Sequence, residues 1–93
     1  MTKLSAERQS VLTNFKKAKS LTEKIITMTE NSEYCINIMQ QNLAVIGLLK
    51  SAHQQLMANH LNTCFRNAMA SKNEATKKKM VLEILKVNKL AAK

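Results

Sequence analysis

The stretch from Glu33 to Ser71, EYCINIMQQNLAVIGLLKSAHQQLMANHLNTCFRNAMAS, holds no proline, one glycine and an apolar residue at nearly every helical turn. That periodicity predicts a single long helix on which the rest of the chain is built. Three of its residues carry chemistry: Cys35, His60 and Cys64. His60 and Cys64 stand four apart, which on an α-helix puts both side chains on one face, within reach of one metal ion. Cys35 lies 25 residues before His60, a separation on the order of 37 Å along the same helix at ~1.5 Å per residue. It therefore cannot meet its own chain's pair. At about 100° per residue, however, Cys35 points within about 20° of both other donors, so the three share one stripe.

A stripe with donors at both ends closes into complete sites when two copies run antiparallel, Cys35 of one meeting His60 and Cys64 of the other. Two sites then form per pair, and the two-fold axis falls at Gly47, Leu48 and Leu49. Gly47 is the chain's only glycine. In mid-helix it costs about 1 kcal/mol relative to alanine, and close approach of two backbones at a crossing is a physical reason to keep it.

Ninety-three residues make one domain, 1–93, and a helix of roughly 58 Å is too elongated to wrap a core alone. An oligomer is expected. The chain has no proline, three aromatic residues and 45% hydrophobic residues, chiefly aliphatic, which predicts an all-α protein with an aliphatic core. No apolar run approaches the ~18 residues of a membrane span, and Met1-Thr2-Lys3-Leu4 carries no secretory hydrophobic segment, so a cytoplasmic protein is expected. In a reducing compartment the two cysteines are thiols available for metal or redox chemistry. Fifteen Lys and Arg against six Asp and Glu leave a net charge of +9, a field that attracts polyanions, double-stranded DNA ahead of an anionic membrane surface.

In chain order, Ser5 is a plausible N-cap for a first helix with apolar positions Val11, Leu12, Phe15, Ala18, Leu21, Ile25 and Met28. Its outer face bears Arg8, Lys16, Lys17, Lys19 and Lys24 without interleaved aromatics, a pattern suited to a duplex backbone rather than to a single strand. Lys50 adds a further cation from the long helix. Asn31 and Ser32 offer cap chemistry, ending the first helix near Thr29 and starting the second just ahead of Cys35, whose first turn favours a thiolate through free N–H groups and the helix dipole. Ile36, Met39, Leu43, Ile46, Leu49, Leu56, Leu61 and Phe65 are packing residues; their spacing serves either the first helix or a partner's helix. His53 shares the Cys35 stripe but faces Ala44 across the proposed axis and is assigned a structural or surface role. Ser71-Lys72-Asn73-Glu74 has capping-box spacing, predicting a short third helix after a break near Ala70. Met80, Ile84 and Val87 supply its contacts, and Lys77, Lys78 and Lys79 form a basic run.

Two thiolates and an imidazole form a soft donor set suited to Cu(I), and to Zn(II) if a fourth ligand or water joins. The six carboxylates are dispersed, which argues against a hard-cation site. No Gly-rich phosphate loop or paired carboxylates suggest an enzyme. The plain alternative is a small buried cysteine beside a packing histidine; the shared stripe and the glycine at the implied axis favour metal.

Glu33-Tyr34-Cys35, the run Asn59-His60-Leu61-Asn62-Thr63-Cys64-Phe65 and the intervals between them resemble the copper-sensitive operon repressor family of bacterial metal-responsive repressors. The likeness covers most of the chain. It implies an all-helical subunit with one long central helix among three, an antiparallel dimer forming a four-helix bundle, and a disc-like homotetramer. It further implies Cys35 of one chain, with His60 and Cys64 of the other, as Cu(I) ligands. Tyr34 resembles a residue that supports the ligands from outside the coordination sphere, and Glu83 is the nearest match to a supporting glutamate. Nickel-sensing relatives use an N-terminal histidine and formaldehyde-sensing ones an N-terminal proline, and Met1-Thr2-Lys3 offers neither; persulfide sensors keep both cysteines but lack the histidine. Copper is the best fit. One departure lies in the first helix, where an Arg-rich segment with a Gly-Gln pair is replaced by Lys16-Lys17-Ala18-Lys19-Ser20-Leu21.

The expectation is thus a Cu(I)-responsive repressor that releases operator DNA on binding copper, with Arg8, Lys16, Lys17, Lys19 and Lys50 as the DNA contacts. A thiol- or persulfide-responsive repressor on the same scaffold is the alternative, and a copper-binding helical protein without an operator is the third possibility.

Overall fold

The computed structural model describes residues 4–92; Met1-Thr2-Lys3 and Lys93 lie outside the described residues. Helix α1 spans Ala6–Glu30 and α2 Cys35–His60. A π-helical turn at Leu61–Phe65 leads into α3, Arg66–Ala70, and α4 spans Glu74–Ala91. No strand occurs among the described residues, so the class is all-α. The chain forms two compact units, Met1–Ala58 and Asn59–Lys93.

In the first unit, Ser5 caps α1 as expected: its hydroxyl accepts the Arg8 N–H at 3.2 Å, and Glu7 sits in the first turn, where the dipole favours a negative charge. The helix ends at Glu30, one residue beyond the expected Thr29. Asn31 is the C-cap, and Ser32 takes the left-handed conformation with φ 53°. The Ser32 N–H then bonds the Thr29 carbonyl at 3.1 Å and the Glu33 N–H reaches back to Met28 at 3.0 Å, the paired bonds of a Schellman ending. Two residues later the Tyr34 carbonyl accepts from Asn37 and Ile38, and Cys35 is the first residue of α2.

Helices α1 and α2 lie antiparallel, as side-chain bonds from Ser10 to Gln55 and from Asn14 to Ser51 and Gln55 require. On α1 the shielded positions are Val11, Asn14, Ala18, Leu21, Ile25 and Met28; on α2, up to Gln55, they are Ile38, Gln41, Val45, Leu48, Ala52 and Gln55, with Leu56, Met57, Asn59 and His60 half-buried beyond. Both runs alternate steps of three and four, the spacing of a coiled-coil seam. Ala52 is completely buried, which lets the backbones approach at that level. Asn14 and Gln55 form a polar layer in the seam: Asn14 Nδ2 donates to Gln55 Oε1 at 2.9 Å, and Gln55 Nε2 donates to Ser10 Oγ at 2.8 Å.

The long helix therefore has two apolar stripes. The sequence periodicity pooled them, but Ile36, Met39, Leu43, Ile46 and Leu49 all remain exposed, Leu43 at 65%. Leu12 and Phe15 on α1 are likewise exposed rather than in the seam. Gly47 has nothing within 4 Å of where a Cβ would stand, so the space beside it is open in the single chain. Among the described residues no helix is long and apolar enough to cross a membrane.

In the second unit, the α-helix expected to run unbroken to Ser71 changes to i→i+5 bonding over Leu61–Phe65. Within that turn the Thr63 hydroxyl donates to the Asn59 carbonyl at 2.7 Å, the same bond to the i−4 carbonyl that Thr13, Thr22, Thr27 and Thr29 make in the uninterrupted α1. The expected Ser71–Glu74 capping box does not form. Asn73, immediately before Glu74, is the N-cap of α4, its Oδ1 accepting the Thr76 N–H at 3.1 Å. Ser71 instead closes the preceding helix, donating to the Ala68 carbonyl at 2.7 Å. Helices α3 and α4 touch, with Ala68 buried and Phe65, Met69, Met80 and Ile84 half-buried. Val81, Leu82, Leu85 and Leu90 are exposed.

Candidate metal centre

Each donor predicted from the sequence sits on a helix whose local structure explains its availability. Cys35 opens α2 and is an exposed free thiol. It occupies the helix end where backbone N–H groups lack intrahelical partners. His60 is the last residue of α2, half-buried. Cys64 lies in the π-turn, also an exposed free thiol. The uniform α-helical step used to align the three donors therefore holds from Cys35 to His60 and ends there. The π-turn inserts an extra residue into the ring closed by each hydrogen bond, so the direction of Cys64 is set by that turn.

The turn also brings a hydroxyl to the sulfur. Thr63 Oγ1 lies 3.7 Å from Cys64 Sγ while donating to Asn59. Thr63 was not singled out from the sequence; a β-branched hydroxyl residue directly before the candidate cysteine was the available signal, since such residues bond back to the i−4 carbonyl. Among the described residues no three His, Cys, Asp or Glu side chains form a group that could hold a metal ion. His53 is exposed on α2, in keeping with a surface role.

Of the two residues expected to support the ligands, Tyr34 is 69% exposed and anchors the start of α2 through its carbonyl. Glu83 is exposed on α4, in an open groove lined by Ala75, Lys78, Lys79, Leu82 and Lys86.

The cations divide between several surfaces. Lys16 and Lys17 line one groove with Lys24, and Arg8 lines another with Leu4, Val11, Leu12, Phe15 and Leu56. Lys19 and Lys50 are exposed and line neither groove. Lys24, seven residues after Lys17 and hence on the same helical face, belongs with the candidate DNA contacts as strongly as they do.

Comparison with known proteins adds a family to this geometry. The family model for the metal-sensitive transcriptional repressors matches residues 7–89. The copper-sensing transcriptional repressor CsoR of Mycobacterium tuberculosis (strain ATCC 25618 / H37Rv) is 33% identical over 66 residues, 71% of this chain and 56% of that protein. The chain thus spans about half the length of that relative. CsoR of Bacillus subtilis (strain 168) is 29% identical over 69 residues, covering 74% of this chain and 68% of its own. The crystal structure of the copper-sensing repressor CsoR with Cu(I) from Geobacillus thermodenitrificans NG80-2 superposes with a TM-score of 0.84 at 26% identity, covering 100% of this chain and 95% of that one. With the family model matching from the first turn of α1 almost to the end of α4, the chain belongs to the metal-sensitive transcriptional repressor family.

Proposed function

We propose that the chain is a Cu(I)-responsive repressor acting in the cytoplasm as a single functional domain assembled into antiparallel dimers and tetramers. Cys35 of one subunit and His60 with Cys64 of its partner are the metal ligands, supported from outside by Tyr34 and Glu83. The observation that carries this is the imidazole at the entrance to the π-turn and a free thiol within it, while a second free thiol stands at the head of α2. Two thiols and one imidazole match the preference of Cu(I) for soft donors, and Zn(II) fits the same set with a fourth ligand or water. The copper-sensing relatives support the choice of metal.

The exposed stripe Ile36, Met39, Leu43 and Ile46, with open space beside Gly47, supports an α2–α2 crossing that would bring the donors of two chains together. In the metal-free state Arg8, Lys16, Lys17, Lys19 and Lys50 hold double-stranded operator DNA through its backbone. Cys35 of one chain with His60 and Cys64 of the other would hold Cu(I), which would supply a soft, closed-shell acceptor for their sulfur and nitrogen donors. Joining them restricts the positions of the two α2 helices, and the basic faces they carry shift with them. Linkage makes the effect mutual: DNA weakens copper binding by the factor by which copper weakens DNA binding, with a coupling of about 1–3 kcal/mol.

Both cysteines are exposed free thiols, which favours a thiol- or persulfide-responsive repressor as a second reading. His60→Ala separates the two. Under the copper reading it abolishes release of operator DNA by Cu(I) in an anaerobic gel shift. Under the thiol reading it leaves release by a persulfide donor intact, and Cu(I) has no specific effect on either protein.

A further inference from the structure

The methionines of the chain are not placed alike. Met28 is buried and Met57, Met69 and Met80 are half-buried, but Met39 is 57% exposed. It stands four residues after Cys35 on α2, which is α-helical without interruption from Cys35 to His60. Cys35 is an exposed free thiol. The one exposed thioether among the described residues therefore lies a single helical turn from one of the two free thiols.

Helical geometry brings these two sulfurs within reach of each other. Residues four apart hold their Cβ atoms about 5–6 Å from one another on one face. Long helical side chains lean back over the preceding turn, toward the N-terminus, which for Met39 is the turn that Cys35 opens. Three rotatable bonds then let the methionine sulfur adjust its position. Two sulfurs that share one ion stand no more than about 4.6 Å apart at metal–sulfur bonds of roughly 2.3 Å, a separation that this spacing permits.

The surroundings select the ion. From Cys35 to Leu43 there is no Asp, Glu, Lys, Arg or His, and Ile36 and Leu43 are exposed apolar neighbours. A hard cation finds no carboxylate there. Thiolate and thioether are soft donors that select Cu(I). One thiolate, one neutral thioether and one monovalent ion sum to zero charge, so the filled pair leaves no net charge against the apolar side chains. The thiol proton passes to solvent as the ion binds.

We propose that Met39 is a thioether donor which, with Cys35 of the same chain, forms a two-sulfur Cu(I) site contained within one subunit. It rests on the copper reading above and deepens it. Each chain holds the ion by its own α2, and His60 and Cys64 of the partner subunit are not needed for that hold. The antiparallel register proposed above sets position 39 against 56–60 of the partner, the stretch that ends on His60, so the pair adjoins the proposed intersubunit centre.

The test uses protein labelled with 13C at the methionine methyl groups, in the His60→Ala/Cys64→Ala background, which keeps only Cys35 and Met39. Cu(I) is closed-shell and leaves methyl resonances sharp. One anaerobic equivalent is expected to move the Met39 methyl resonance, identified by its loss in Met39→Leu, while the other methionine methyls stay in place. The shift disappears when Cys35→Ala is added. Titration against a weak Cu(I) chelator is expected to show binding far weaker than that of the wild type, and at least tenfold weaker again with Met39→Leu. Leucine keeps the apolar volume, so a residue that only packs would show no such loss. Should the alanine pair not fold by circular dichroism, His60→Asn/Cys64→Ser replaces it. An unmoved Met39 methyl, a shift that survives Cys35→Ala, or equal affinity with and without the thioether overturns the proposal while leaving the intersubunit centre intact. Failure of the wild-type protein to bind Cu(I) tightly overturns the copper reading and the pair with it.

Discussion

Ser32 alone among the described non-glycine residues has a positive φ, at 53°. An L-residue with a Cβ pays for that conformation, and only the two Schellman bonds from Ser32 and Glu33 hold it there. Ser32→Gly should raise the unfolding free energy by about 1 kcal/mol in denaturant titrations, because glycine enters the left-handed region without the steric penalty. A neutral or destabilising result would mean that the serine side chain contributes to the turn beyond what the backbone shows. Thr63 makes the complementary point. Its hydroxyl takes the Asn59 carbonyl and lies 3.7 Å from Cys64 Sγ, so one side chain both bonds back to the preceding turn and lies against the neighbouring thiol.

At the level of elements, the seam between α1 and α2 is aliphatic except where Asn14, Gln41 and Gln55 enter it. Polar residues in such a seam lower stability and specify register. Gln55 is the hub, accepting from Asn14 and donating to Ser10. Gln55→Ala should cost about 1–2 kcal/mol, measured by chemical denaturation, since it removes two bonds and leaves Asn14 with only its 3.4 Å contact to Ser51. Much of this architecture was legible in the sequence: the helix starts at Ser5 and Cys35, the break after Ala70 and the absence of strands follow from caps and periodicity. What the periodicity did not separate was the two stripes of α2. Val45 and Leu43 have the same chemistry, and which one is shielded depends on where α1 docks. The polar layer at Asn14 and Gln55 is what selects the face. The π-turn was equally hidden, because the threonine bond found there also occurs four times in the unbroken α1. At the start of α4, two competent caps stood two residues apart, and the one adjoining Glu74 prevailed.

For the molecule as a whole, the two stripes of α2 have different destinations. One is occupied by α1; the other, from Ile36 through Leu49, is exposed, with open space at Gly47. An apolar stripe of that length on a small domain is the signature of an association surface. The candidate site was legible in the spacing of Cys35, His60 and Cys64, and the membership of the chain in the metal-sensitive repressor family gives the spacing a context. In the proposed site the donors meet only through a second copy, which lies beyond one chain's sequence. The central claim, that a complete metal site takes one thiol from one subunit and an imidazole and thiol from its partner, is tested most directly by complementation. Cys35→Ala and a His60→Ala/Cys64→Ala double variant, differently tagged and coexpressed, are purified as the mixed dimer and titrated anaerobically with Cu(I) against a competing chelator. Two chains contributing to each site predict that neither variant binds tightly alone and that the mixed dimer regains a single high-affinity site. A mixed dimer that binds no more copper than the two variants measured separately would contradict the account.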